Sequence, residues 1–559
     1  MKNKTLTPWK RFLGLLQLER KDILNIAYFA IFEGIVALSL PLGIQAIINL
    51  LQSSQITASW IVLIVLVTLG VAFSGGLKLM QMRVIETIQQ RIFTRASLEL
   101  SYRFPKIKMS ELRKHYLPEI ANRFFDTLTI QKGLSKILID FPSAILKIIF
   151  ALVLLSFYHP FFIFFGIALI ALGYIVFRYT AQRGLEASLM ESKYKYKVAH
   201  WLQEIARTVI SFKVSGKTNL ALEKTDKLVS GYLDARENHF RVLVLQYKKM
   251  IGFKLLVTAG LLLIGGFLVL NQQMNIGQFV AAEIIILLVV GSVEKLILGL
   301  ESYYDVLTSI EKLGQVVDQP LEAQEGETSS SKNGLTIELQ NASYEVEERN
   351  IPILKEVSLT IHPSDRILIE GDIGSGKLSL LQLIAGVISP SSGYVFINNL
   401  SIESLRINSY RADLGLSFSN ETPFEGTIRE NITFGDPSIS DEFIFEIFET
   451  VGLIDFIKQQ PNGLNTILKP EGKQIGYTIA KKIILTRAIA KRPKVLILEN
   501  PLDQFETKEA NRIIVFLADK KQPWSLVVVS QNETWKHQCD KHIVLKKGSI
   551  VELKSEQSC

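Results

Sequence analysis

The chain has 559 residues, of which 48% are hydrophobic, and a mean hydropathy of +0.25, which is too long for one domain and too apolar for an ordinary soluble enzyme. Its charge is split: Lys and Arg number 36 against 22 Asp and Glu over residues 1–320, and 26 against 32 over residues 321–559. A membrane-embedded first half facing an anionic lipid surface is therefore expected, and nucleic-acid binding is not.

In chain order, "PWKRFLGLLQLERK" (Pro8–Lys21) reads as a basic amphipathic helix lying on the inner membrane surface. Six apolar segments follow: Leu24–Leu51, Trp60–Leu77, Ile137–Phe157, Phe161–Phe177, Leu255–Leu270 and Ile276–Leu300. Each can span a bilayer, the shorter ones with flanking residues. The first run is too long for the apolar core of a signal peptide, and no small-x-small cleavage site follows a short one. No protease-like segment precedes the first span, which weighs against a leader-cleaving peptide exporter.

The charges orient these spans. "QSSQITAS", "YHP" and "NQQMN" contain no charged residue, whereas the opposite connections, 78–136 and 178–254, hold 12 and 15 Lys and Arg, and the first 23 residues hold 6. The charge-free turns therefore face outward and both termini face the cytoplasm. The two inner connections are too long for turns and carry apolar positions at helical spacing, so the spans are expected to continue as cytoplasmic helices. Glu33 and Glu283 lie within about three turns of a span end and are expected to be structural or to snorkel.

"LEAQEGETSSSKNG" (Leu321–Gly334) is polar, lacks aromatic residues and reads as a linker. It divides the chain into a membrane domain (1–320) and a second domain (335–559). The latter contains strand-like "DRILIEG", then Gly371-Asp372-Ile373-Gly374-Ser375-Gly376-Lys377, then the helical "LSLLQLIAG". Such a loop cradles phosphate: glycines let backbone N–H groups close on the oxygens, the helix offers its N-terminus, and lysine reaches the outer phosphates. The following position, which supplies a magnesium-ligating hydroxyl in such loops, is Leu378, and Ser379 points about 100° further round the helix. A second apolar strand, "KVLILENP", ends in Glu499, where such folds hold a carboxylate beside the metal. Asn500 follows, where hydrolysis would call for a base. The cysteines, Cys539 and Cys559, have no metal-ligand spacing, and His537 beside Cys539 reads as a surface neighbour, so no metal site is expected.

With "NASYEVEERNIPILKEVSLTI", "PSSGYVFINN", "PFEGTIRENITFGDP", "LTRAIAKRPKVLILENP" and "LVVVSQN" arranged around that loop, and "NIGQFVAAEIII" opening the last span, the chain resembles an ABC exporter half-transporter over nearly its whole length. The resemblance implies an α-helical membrane domain with six transmembrane helices, then an α/β P-loop (RecA-like) nucleotide-binding domain with a helical insertion. It also implies a bacterial inner-membrane location, with the nucleotide-binding domain cytoplasmic. As a dimer, homomeric or with another half-transporter, each site would join one phosphate loop to the partner's signature. An envelope adaptor is a further partner. "RKHYLPEIANRFFD" and "HWLQEIARTVISFK" are the candidates for helices that couple the two domains.

Position by position, the resemblance implies a damaged site. Val346 stands where the family stacks a ring on adenine, and Tyr344 is two residues early. Ser419 stands for the glutamine that senses the γ-phosphate, Ile475-Gly476-Tyr477-Thr478-Ile479 for Leu-Ser-Gly-Gly-Gln, and Asp503-Gln504-Phe505-Glu506 for Ser-Ala-Leu-Asp. Glu499 and Asn500 stand for the carboxylate pair, and Gln531 for the switch histidine. ATP held weakly by Gly371–Ser379, little Mg2+ and slow or absent hydrolysis are expected, since loss of a general base alone costs about 10²–10⁴-fold. Three functions are open: a degenerate export subunit, a non-catalytic membrane scaffold, and a working ATPase that uses Glu499.

Overall fold

The computed structural model describes residues 7–52, 58–328, 334–346 and 351–555, leaving out the side chains at 165, 169, 172, 173, 175–180 and 555. Two units separate by internal packing: Met1–Lys106 with Leu112–Gln319, and Ile107–Glu111 with Pro320–Cys559.

The first unit is helical. Helix α1 (Pro8–Leu18) is capped by Thr7, and its Phe12 is buried. Arg11 reaches Glu311 at 3.2 Å and Asp318 at 2.9 Å. Part of the face expected to meet lipid is thus taken by protein, while Trp9, Leu13 and Leu18 remain exposed. The first apolar run folds as α2 (Arg20–Ala37) and α3 (Ser39–Gln52). Pro41, in the first turn of α3, has no N–H to donate back to Ala37, so the helix breaks at Leu38.

Four long helices and the first part of a fifth carry the remaining runs: α4 (Ala58–Arg103), α5 (Asp126–Ser156), α6 (Phe161–Arg207), α7 (Leu220–Leu270) and α8 (Ile276–Val317). Among the described residues five stretches are long and apolar enough to cross a membrane: Arg20–Gln52, Ala58–Lys106, Leu117–Ser156, Leu220–Leu270 and Ile276–Val317. The run Phe161–Phe177 opens α6, where several side chains lie outside the description. At 51 residues, α7 is about 75 Å long, more than twice the hydrocarbon thickness of about 30 Å, so much of it extends beyond the bilayer. At the turn before α8, Asn275 and Gln278 form a reciprocal cap. Most of "QSSQITAS" lies outside the described residues.

Glu33 is 1% exposed. One carboxylate oxygen accepts from Lys147 Nζ at 2.6 Å and the other from Ser143 Oγ at 2.8 Å. The charge is paired across two helices inside the bundle, which is the structural role expected of it, without snorkelling.

The second unit is α/β. An antiparallel sheet orders β2 (Leu354–Ile361), β1 (Ile337–Tyr344), β4 (Ser392–Ile397) and the two-residue strand Leu400–Ser401. The larger sheet runs β9 (Ser549–Ser555), β8 (Lys541–Lys546), β3 (Arg366–Glu370), β7 (Ser525–Val529), β6 (Val495–Glu499), β5 (Leu414–Ser417). All but its β9 edge pair in parallel. Strand periodicity builds the core: Ile367, Ile369, Ile497, Val527 and Val529 join the antiparallel sheet and α9 (Lys377–Ile384) in one apolar cluster. Their neighbours Leu368, Leu496, Leu498, Leu526 and Val528 face the other way, into a cluster with α10 (Ile428–Thr433), α11 (Asp441–Val451), α12 (Tyr477–Ala490) and α13 (Thr507–Ala518).

Ile107 pairs antiparallel with Leu321, and Lys108 N–H donates to Pro320 O at 3.0 Å. Met109 packs on the first cluster. The coupling stretch suggested by sequence, Arg113–Asp126, falls in the helical unit; Ile107–Glu111, just before it, belongs to the α/β unit.

Candidate functional site

Three glycines shape the loop between β3 and α9. Gly371 (φ +150°) leaves a Cβ only 2.2 Å from Leu545 O, and Gly376 (φ +101°) only 2.8 Å from Ile353 O. Both are held by packing on the neighbouring backbone. Gly374 (φ +81°) has open space, so only its left-handed backbone calls for glycine. Ser375 is buried, whereas Ile373 at the loop apex is 97% exposed.

Lys377 opens α9, and its Nζ donates to Gly371 O at 2.6 Å and Asp372 O at 2.7 Å. Burial pushes its pKa down, against the pull of Asp372 and Glu499. The backbone N–H groups, helix N-terminus and ammonium suit phosphate oxygens. Leu378 and Ser379 follow in the first turn of α9, both half-buried.

The loop departs from a magnesium-binding pattern at one position. Mg2+ takes near-octahedral oxygen ligands, and Leu378 offers none. Ser419 N–H donates to Glu499 Oε2 at 3.0 Å, and Ser419 Oγ to the Glu499 carbonyl at 3.3 Å, so carboxylate and hydroxyl are already engaged with each other's residues.

Asn500 adopts φ +44°, and its N–H donates to Val529 O at 2.8 Å. Gln531, two residues past β7, is exposed. Tyr344 is buried in the core and Val346 packs against it, so Tyr344 is not displayed as a substitute adenine platform. In the signature segment, Gly476 caps α12 without a side-chain bond, and Tyr477 at its first position is 47% exposed.

One residue that the sequence reading passed over stands beside this group. Lys481, on α12, is buried, and its Nζ donates to the carbonyls of Ser419, Phe418 (3.5 Å) and Glu421 (3.3 Å). Burial lowers its pKa, opposed by Glu421, Glu499 and Asp503. The only sequence signal is the pair Lys481-Lys482 inside an otherwise apolar stretch; Lys482 is also buried, on Gly452 O at 3.0 Å and Glu509 at 2.6 Å.

The retained phrases "GTIRENI" and "TRAIAKRP" are physically joined. Thr427 and Glu430 form a capping box. Asn431 bonds both N–H and C=O of Phe424, at 3.0 and 2.9 Å, and Arg487 Nε donates to Asn431 O at 2.7 Å. These residues hold the helical insertion together, whatever happens to nucleotide.

Comparison with known proteins agrees with this arrangement. The family model described as "ABC transporter transmembrane region" matches residues 23–293, and that described as "ABC transporter" matches residues 354–503. Curated relatives include the leukotoxin translocation ATP-binding proteins LktB of Mannheimia haemolytica and Bibersteinia trehalosi. Each is 26% identical over 330 residues, 58% of this chain and 46% of theirs. The chain thus spans about half the length of the curated relatives it matches. A solved bacterial Atm1-family ABC exporter with ATP bound superimposes with TM-score 0.81 and 17% identity, covering 96% of this chain and 95% of that one.

Proposed function

The chain belongs to the ABC transporters, as an integral-membrane half-transporter of exporter type, and we propose that it works as a dimeric export subunit whose ATP site is degenerate. Residues 1–320 would form the membrane domain, 321–334 the linker and 335–559 the nucleotide-binding domain. ATP would be held weakly by Gly371–Ser379, with the adenine unstacked and no divalent metal required. Hydrolysis would be slow or absent.

The observation that carries this reading is the bonding of Glu499. Its carboxylate accepts from Ser419's own N–H, and the next residue is Asn500, an amide that cannot take a proton from water. Position 378 then offers no metal-ligating hydroxyl and position 500 no carboxylate base, and preorganised groups of that kind supply most of phosphoryl-transfer catalysis. What remains intact around the site holds the insertion and core together, as in the Asn431–Arg487 contact.

Substrate class follows only from relatives. LktB is named for translocating a leukotoxin, and we propose a peptide or protein substrate on that likeness. An envelope adaptor and a second half-transporter are the proposed partners.

A scaffold without transport is the second reading, favoured by Tyr477, whose ring stands where close approach of the α12 N-terminus to a partner's phosphate calls for glycine. ATP binding and hydrolysis by the purified full chain, with and without Mg2+, test the degenerate site. Binding that is weak and nearly metal-independent, with turnover at background, is expected. Tight Mg2+-dependent binding with steady turnover would overturn the proposal and make Glu499 a working site residue.

A further inference from the structure

The pairing at the end of β6 leaves a charge question. Glu499 is a carboxylate near the phosphate loop, and it acts electrostatically on Lys377. Without a divalent metal between them, it would repel a bound triphosphate. Ser419's amide stabilises the carboxylate by hydrogen bonding but brings no charge.

A buried ammonium, that of Lys481, stands next to this pairing. Its Nζ sits on three backbone carbonyls of the segment Phe418–Glu421, the segment whose Ser419 holds Glu499 through both amide and hydroxyl. The ammonium lies on the carbonyl of the very residue whose N–H meets the carboxylate. The acids acting on it are Glu421, Glu499 and Asp503. Glu421 has a second cation, Arg487, at 3.5 Å, and Asp503 is exposed. In a partly desolvated setting, a nearby unit charge is felt several times more strongly than in water. A cage of carbonyl oxygens around an ammonium is also a chemically sound cation site, because each N–H finds an acceptor.

We propose that Lys481 is a built-in cation that compensates Glu499 and so allows this site to hold ATP without a divalent metal. Lys481 does not touch the nucleotide; it acts through Ser419 and Glu499. This rests on the reading that the chain binds ATP weakly and independently of Mg2+.

The test uses the full-length chain and a fluorescent ATP analogue, titrated in EDTA and in Mg2+, with thermal unfolding followed in parallel. Lys481→Gln keeps an N–H donor for the carbonyls and removes the charge; Lys481→Arg keeps both. In EDTA, Lys481→Gln is expected to lose about tenfold in affinity, Lys481→Arg to stay near wild type, and Glu499→Gln placed in the Lys481→Gln background to restore binding. A merely structural role would lower the unfolding temperature of Lys481→Gln in step with its affinity and leave that loss independent of ionic strength, whereas a lost charge weakens binding in a folded protein and does so less at high salt. If Lys481→Gln binds as tightly as wild type, or Glu499→Gln fails to restore it in a folded protein, the proposal is overturned. Should Lys481→Gln unfold, Lys481→Gln combined with Glu499→Gln, neutral at both positions, is compared with Glu499→Gln: loss of the ammonium must weaken binding in EDTA, and equal affinity overturns the proposal. Wild-type binding that requires Mg2+, or no binding in either condition, sinks the parent reading as well, and so is distinguishable from failure of the variants.

Discussion

Gly371, Gly374 and Gly376 share one sequence pattern and have different physical reasons to be glycine. A Cβ at Gly371 or Gly376 would run into a neighbouring backbone carbonyl, whereas at Gly374 it would meet open space. Gly374→Ala is therefore expected to cost about 1 kcal/mol through its backbone alone, and Gly371→Ala or Gly376→Ala roughly 3 kcal/mol or more, because backbone must move. Thermal unfolding of the purified chain ranks the three, and an equal effect at Gly374 would show that the distinction is wrong. Cys539 offers a second check. Its thiol is buried, and burial pushes its pKa from 9.0 up to about 12. Since the folded value is raised, its contribution to stability is complete below pH 9 and is lost as pH rises toward 12. A thiol reagent at pH 8 is expected to leave Cys539 unmodified until the protein is unfolded. The glycine spacing was legible in the sequence because it repeats a pattern with a known geometry. Lys481 was not, because its partners are backbone carbonyls some sixty residues away, and carbonyl acceptors leave no mark on residue identity.

At the scale of elements, β3 and β6 could be read directly as unbroken apolar runs, since successive residues of a buried parallel strand must serve two apolar layers. The break at Leu38 could have been read from Pro41 but was hidden inside one uninterrupted apolar run. The pairing of Glu33 with Lys147 was beyond a sequence reading, because it joins α2 to α5 across more than a hundred residues. Glu33→Gln or Lys147→Met alone leaves one charge buried without its partner and is expected to cost about 3–5 kcal/mol, while the double variant recovers most of that. Unfolding in detergent measures the difference; additive losses would mean that the pair is not a unit. On α12, the exposed Tyr477 makes a parallel prediction. Exchanging Ile475–Ile479 for Leu-Ser-Gly-Gly-Gln is expected to raise ATP turnover when the chain is paired with a fully equipped half-transporter and to leave the chain alone at background, as read by phosphate release.

For the whole molecule, the split in charge between the charge-free turns and the basic connections was the clearest guide to orientation. A single cysteine placed at Gln273, in a background free of Cys539 and Cys559, is expected to react with an impermeant reagent from outside the cell, and one at Glu325 only after permeabilisation. The reverse pattern would invert the topology. The order of a helical membrane domain followed by a nucleotide-binding domain was legible because apolar runs of membrane-spanning length cannot be confused with short buried strands. The division of the α/β unit between two distant parts of the chain was not, because five residues leave no compositional trace.

That division has a consequence for the order in which the protein can be completed. Ile107–Glu111 leaves the ribosome about 210 residues before Leu321, roughly 10–40 s earlier at synthesis rates of about 5–20 residues per second. The bridge from Ile107 to Leu321 therefore closes a long loop, and until it does, the apolar seat of Met109 beside Ile388 and Leu405 faces water. Maturation of the α/β unit thus has a late step that waits on a piece of chain already made, a point at which a chaperone or protease can intervene. A fragment starting at Pro320 is expected to be more susceptible to proteolysis than the same region in the full chain, and a peptide covering residues 104–114, added in trans, to restore part of its protection.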